Sequence, residues 1–210
     1  MSSNEFQQRF HFFLFLFFLA SEATLLKLCS PYIPDRDFIA CELCSVYLLS
    51  ILKNKQPQKY ANINYPKDFS FHAAVLSLAE VIFTIILPWL MIIKEHKPQG
   101  INEAGYLLGS HLFIFQAQII FELFILMSGK QNRWIVFPYT CAANAYRLIP
   151  IITSTVHGMG MLQDGPPLEL TEWIDIFLLP CFTVTLWLYS SFHFIPKVWY
   201  PLIHPQQQEI

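Results

Sequence analysis

Two apolar arms, Leu107–Met127 and Trp134–Val156, constrain this chain more than any other feature. Each has about the 20 residues that a helix needs to cross a bilayer. A short polar turn, Ser128-Gly129-Lys130-Gln131-Asn132-Arg133, joins them. Yet His111, Gln118 and Glu122 lie within the first arm, and Asn144 and Arg147 within the second. A charge at that depth is costly without a partner. The pattern predicts a membrane protein with a polar interior.

Helical geometry sharpens the expectation. At about 100° per residue, His111, Gln118 and Glu122 fall within roughly 20° of one direction. Thr140, Arg147 and Ser154 share a face of the second arm, with Asn144 nearby. Two polar faces on adjacent helices should meet away from lipid. Folding the hairpin about Gln131 sets Gln118 opposite Asn144. Arg147 is then about 5 Å along the axis from Gln118 and about 10 Å from Glu122. Arg147 therefore has Glu80, Glu22 and Glu42 as alternative partners, and Glu122 has Gln118, with which it could share a proton. The candidate buried polar site is Glu80, His111, Gln118, Glu122, Asn144 and Arg147. It reads either as a place for a proton, ion or small polar ligand, or as polar contacts that hold helices together.

Composition agrees. The 210 residues are 54% hydrophobic and 13% charged, where a soluble domain carries about 25% charged residues. The net charge of -2 comes without a basic cluster, which argues against nucleic acid. Nothing points to a catalytic residue, cofactor or metal. The histidines form no H-x-x-H or H-E-x-x-H pattern, and G-x-S-x-G is missing from the sequence. His111 reads as a packing residue. Cys41 and Cys44 form a C-x-x-C that reads as two small buried residues one helical turn apart, not a redox or zinc pair. Gly158-Met159-Gly160-Met161 reads as a flexible loop. An enzyme is the less favoured class.

Along the chain, His11–Leu26 fits a signal peptide, with Arg9 before it and Ser21-Glu22-Ala23 following its Phe/Leu run. It also fits a first span, which the later spans favour. Pro31, Pro34, Asp35 and Arg36 end it. Further spans are expected at Phe38–Leu52, at Phe69–Ile93 with a kink at Pro88, in the two arms, and at Trp173–Phe194. Pro138 and Pro150 interrupt the second arm, and a loop follows it from Gly158 to Leu170. Lys197-Val198-Trp199-Tyr200 reads as an interfacial anchor.

The expected fold is all-α: one polytopic transmembrane bundle over residues 1–203, with a disordered polar tail at 204–210. It has about six helices, or five if Trp134–Val156 lies in the interface. With six spans, one side holds eight lysines and arginines in short loops and the other four, so both termini are expected to be cytoplasmic.

At the hairpin the sequence resembles a plant family of small multi-pass membrane proteins, defined as a domain of unknown function. The resemblance rests on Gly100-Ile101 leading into the first arm, on His111, Phe113, Gln118 and Glu122, and on Asn144 and Arg147. The order of spans and the short second span after Asp37-Phe38 also match. The chain departs from the pattern at Tyr146, where the family places a second basic residue. The resemblance implies a membrane location and no activity. The leading expectation is an integral membrane protein of an endomembrane or the plasma membrane, acting as a structural or interaction component with the lipid bilayer as its partner. The alternatives are a small transporter or proton-coupled carrier using Glu80, Glu122 and Arg147, and a membrane-embedded lipid-modifying enzyme.

Overall fold

A computed structural model describes residues 3–53, 75, 78–79, 81–95, 103–128, 133–164, 179–189 and 191–192. All of these are helical except Ile33, Pro34 and Arg147. The elements are α1 (Ser3–Cys29), a 3-10 turn (Ser30–Tyr32), α2 (Asp35–Lys53), a π-turn (Ile82–Ile86) running into α3 (Leu87–Glu95), α4 (Glu103–Ser128), α5 (Arg133–Tyr146), α6 (Leu148–Asp164) and α7 (Leu179–Tyr189). Glu80, the interfacial anchor and the polar tail lie outside the described residues.

Helix α4 is the axis of the molecule. It packs against α1, α2, α3 and α6, and its residues from Leu107 to Gln118 are all buried. Leu25, Cys29 and Ile33 meet Leu112 and Phe113 in one core cluster, joined by Ile85 and Ile92. Phe38 of α2 closes on Phe113 with ring centroids 5.1 Å apart.

Local chemistry sets the breaks. Pro31 and Pro34 cannot donate backbone bonds, so α1 tightens into the 3-10 turn and stops. Helix α2 then starts with Asp35 and Asp37 in its first turn, where the positive end of the helix dipole favours acids. Pro88 lacks the N–H that would bond to Thr84, and the backbone widens ahead of it. The Leu87 N–H reaches back to the Ile82 carbonyl as a π-turn, in place of the simple kink expected there.

The second arm differs more from expectation. It is not one helix over Trp134–Val156. Regular helix is interrupted at Arg147, leaving α5 at 14 residues and α6 at 17, although the Arg147 N–H still bonds to the Ala143 carbonyl and the Ile151 N–H to the Arg147 carbonyl. Pro150 is the cause: it cannot donate to Tyr146, four residues back, and its ring crowds that carbonyl. At 1.5 Å per residue α5 spans about 21 Å, less than a bilayer core of about 30 Å. The expected loop at Gly158 is also corrected, because α6 continues through Gly158 and Gly160 to Asp164. Glycine weakens a helix by only about 1 kcal/mol relative to alanine, and need not end one.

Two stretches among the described residues are long and apolar enough to cross a membrane, Gln8–Tyr32 and Ala104–Phe124. The first is largely exposed and the second largely buried.

Gly109 lets α1 approach α4. A Cβ added there would lie 3.2 Å from the Cys29 Cβ, tighter than side chains normally pack. Gly109→Val is therefore expected to cost about 1–3 kcal/mol by overpacking, read as a lower Tm of the purified protein. Gly160→Ala is the control. Nothing lies within 4 Å of its added Cβ, so it should be neutral or gain up to about 1 kcal/mol.

Candidate functional site

The buried polar side chains gather around α4 in separate groups rather than one stripe. The first group was not anticipated. Asp37, 0% exposed, sits in the first turn of α2 and accepts hydrogen bonds from two other helices. Ser110 Oγ of α4 donates to its Oδ2. Tyr146 Oη of α5 donates to its Oδ1 at 2.8 Å. The Arg36 carbonyl lies 3.2 Å from the same hydroxyl, but a hydroxyl has one proton, and the closer acceptor is the charged one. Arg36 Nε lies 3.6 Å from Asp37 Oδ1, and Arg36 Nη2 donates to Thr153 Oγ1 of α6 at 3.4 Å. One carboxyl thus joins α2, α4 and α5, and its arginine neighbour reaches α6. Tyr146, the position where the family resemblance expects a base, supplies a donor to this acid.

The second group is built on Arg147, 1% exposed, at the break between α5 and α6. Its guanidinium carbon lies 3.8 Å from the centroid of the Phe115 ring, and Nη1 donates to Asn144 Oδ1 at 3.4 Å. Asn144 in turn donates through Nδ2 to Ser191 Oγ at 2.6 Å, and its carbonyl accepts from Trp187 Nε1 at 2.7 Å. The negative face of an aromatic ring attracts a cation, by about 2 kcal/mol or more when both are out of water. His111 stands on the same ring, with centroids 6.1 Å apart and planes 8° from parallel.

By their spacing His111, Gln118 and Glu122 lie on one side of α4, but α4 is buried all round from Leu107 to Gln118, and the partners of these side chains differ from those expected. Gln118 Nε2 donates to Glu122 Oε1 at 2.9 Å within α4, and Asn144 takes Arg147, Ser191 and Trp187 as its partners. Of the glutamates suggested for Arg147, Glu42 is exposed on α2 and Glu80 is outside the described residues. Glu22 is buried on α1, and neither of its carboxyl oxygens has a hydrogen-bond partner among the described residues. Ser154, expected beside Arg147, has its one hydroxyl proton within reach of two carbonyls, Leu107 on α4 and Pro150 on its own helix. Cys41 and Cys44 are free thiols, half-buried rather than buried.

Asp37 had a signal in the sequence: acids just after a proline, at the start of an apolar run, mark a helix N-terminus. Its partners Ser110 and Tyr146 lie far off in sequence, and one sequence carries no pairing information. Among the described residues no three His, Cys, Asp or Glu side chains gather to hold a metal. What the arrangement does chemically is hold helices by buried hydrogen bonds, and present buried polar atoms of Glu22, His111 and Gln116 that have no hydrogen-bond partner among the described residues. No protein-family model, no curated protein and no solved structure matches the chain.

Proposed function

We propose that the chain is an integral multi-pass membrane protein that acts as a structural or interaction component of its membrane. The observation that carries this reading is the distribution of side chains between inside and outside. Phe13 and Phe17 on α1, Leu43 and Val46 on α2, Leu90 and Ile93 on α3, and Ile152 and Val156 on α6 are exposed. Asp37, Gln116, Asn144 and Arg147 are fully buried or nearly so. A domain in water does the reverse, and scattered single apolar residues would not give rows on four helices. Length and apolarity alone also fit a buried core helix or a cleaved leader. A core helix does not account for the exposed rows. A leader does not account for Leu25 and Cys29, which belong to the central cluster.

The interaction role is favoured over transport because Asp37, Ser110, Tyr146, Asn144, Ser191 and Trp187 bond to one another. A proton-coupled carrier is the second reading. It is favoured by Glu22, His111 and Gln116, whose buried polar atoms have no hydrogen-bond partner among the described residues. In both readings the interrupted pair α5–α6 counts as one broken crossing within a bundle of about six, and both termini are cytoplasmic.

The test is fractionation of membranes from cells expressing the tagged chain. The protein is expected to stay in the pellet after alkaline carbonate and to leave it only with detergent. Release by carbonate would refute the membrane reading.

A further inference from the structure

Contacts at two heights fix how α1 lies on α4. Cys29 touches the backbone at Gly109, its Cβ 3.2 Å from where a Cβ would stand. Phe15 meets Phe124, with ring centroids 6.4 Å apart. The helices are therefore antiparallel, since moving back along α1 moves forward along α4. Seven residues back from Cys29 is Glu22, and seven forward from Gly109 is Gln116. A seven-residue step returns to the same face of a helix. Glu22 and Gln116 thus face each other across the interface. Each lies two residues past the midpoint of its apolar stretch, Gln8–Tyr32 or Ala104–Phe124.

Both side chains are buried, Glu22 at 8% exposure and Gln116 at 0%. Both carboxyl oxygens of Glu22 and both polar atoms of the Gln116 amide have no hydrogen-bond partner among the described residues. Buried polar groups are nearly always paired, so four orphaned atoms facing one another demand an explanation. An ionised carboxylate would offer acceptors only, and would leave Gln116 Oε1 without a donor. One added proton changes that. After rotation of both side chains the Glu22 O–H would donate to Gln116 Oε1 while Gln116 Nε2 would donate to the other Glu22 oxygen, two bonds not made in the structure as it stands. This closes a ring of two hydrogen bonds that gives each of the four atoms a partner.

We infer that Glu22 and Gln116 form a proton-binding site, in which a carboxylic acid is held against a carboxamide at the middle of the α1–α4 pair. The ligand is a single exchangeable proton. The surroundings suit it. Among the described residues, Cys41 of α2 is close enough to feel the Glu22 carboxyl, and Cys29 lies two turns along α1. His111 lies on another face of α4, and Arg147, at the α5–α6 break, packs on Phe115 rather than on Gln116. Lys27 of α1 and Lys94 of α3 are exposed, so neither basic side chain is buried beside the carboxyl. The site lies apart from the Asp37 and Arg147 groups. The hydrogen-bond argument does not need the membrane reading, which only adds that the pair sits at mid-bilayer.

Infrared spectroscopy of the purified full-length chain in detergent reads the pair directly, because a protonated carboxyl has its own C=O stretch, distinct from carboxylate and amide bands. The expected result is such a band in the unmodified protein that moves in D2O, is lost in Glu22→Gln, and shifts to higher frequency in Gln116→Leu. Glu22→Gln keeps both hydrogen bonds of the ring, so the variant should fold. If it does not accumulate, Gln116→Leu alone decides, since only a paired acid responds to loss of the amide. A spectrum unchanged by Glu22→Gln would overturn the proton site. A band that ignores Gln116→Leu would overturn the pair. Carbonate release of the chain from membranes would leave both results standing.

Discussion

Asp37→Leu is expected to lower the stability of the solubilised protein by about 2–4 kcal/mol. The Ser110 and Tyr146 hydroxyls would lose their common acceptor, and each buried donor left unpaired costs about 1–3 kcal/mol. The position is fully buried, so water cannot take over. The neighbouring variants should rank below it. Tyr146→Phe removes one hydrogen bond to a charged acceptor, at about 1.5–3 kcal/mol. Arg36→Ala removes an ion pair whose arginine is 48% exposed, which contributes about 0–1 kcal/mol. Thermal unfolding in detergent checks the order. Combining Asp37→Leu with Tyr146→Phe should cost less than the two changes separately, because they remove the same bond. Equal losses for Arg36→Ala and Asp37→Leu would mean that the ion pair, not the buried hydroxyls, holds the junction.

Arg147 should be even less forgiving of a change that keeps its charge. Arg147→Lys is expected to cost about 2 kcal/mol or more, since the planar guanidinium lies on the Phe115 ring and a compact, strongly hydrated ammonium suits a dry site poorly. Arg147→Met should be tolerated better. It removes the buried charge and leaves Asn144 Oδ1, a neutral acceptor, whereas lysine keeps a charge in the site without the planar fit to the ring. Phe115→Leu should resemble Arg147→Lys, and the two should not add. The readout is again Tm, with intrinsic tryptophan fluorescence following Trp187 beside Asn144. A lysine variant as stable as the parent would show that the ring contact contributes little.

The helical character was legible because long apolar runs leave no other structure. The stop before α2 was legible too, because two prolines and two acids state it chemically. The break at Arg147 was half legible. Pro150 is visible in the sequence, but its effect falls four residues earlier, at the carbonyl it leaves unbonded. Gly158 and Gly160 misled because glycine signals freedom of the backbone, and a helix already packed does not need to use it. Seven-residue spacing puts His111, Gln118 and Glu122 on one side of α4, but burial all round from Leu107 to Gln118 means that the spacing marks no single inward face. The partners of these side chains were not legible, because one sequence carries no pairing information between helices remote in the chain. Asp37 hid for another reason: an acid at a helix start has a local explanation, and the partners that bury it, Ser110 and Tyr146, are remote. The facing of Glu22 and Gln116 rests on repeated seven-residue steps on both helices, a signal present in the sequence but without meaning until the Cys29–Gly109 contact is known.

The central claim is that apolar side chains face outward into lipid while the polar ones face inward. Single cysteines can carry a nitroxide at the outward positions Phe13, Leu43, Leu90 and Val156, in a chain otherwise freed of accessible cysteines and placed in lipid nanodiscs. Electron paramagnetic resonance then measures collisions with oxygen, which partitions into lipid, and with a nickel chelate, which stays in water. All four labels are expected to meet oxygen and to be shielded from nickel. Free collision with nickel at these sites would place the rows of exposed Phe, Leu and Val in water and contradict the account.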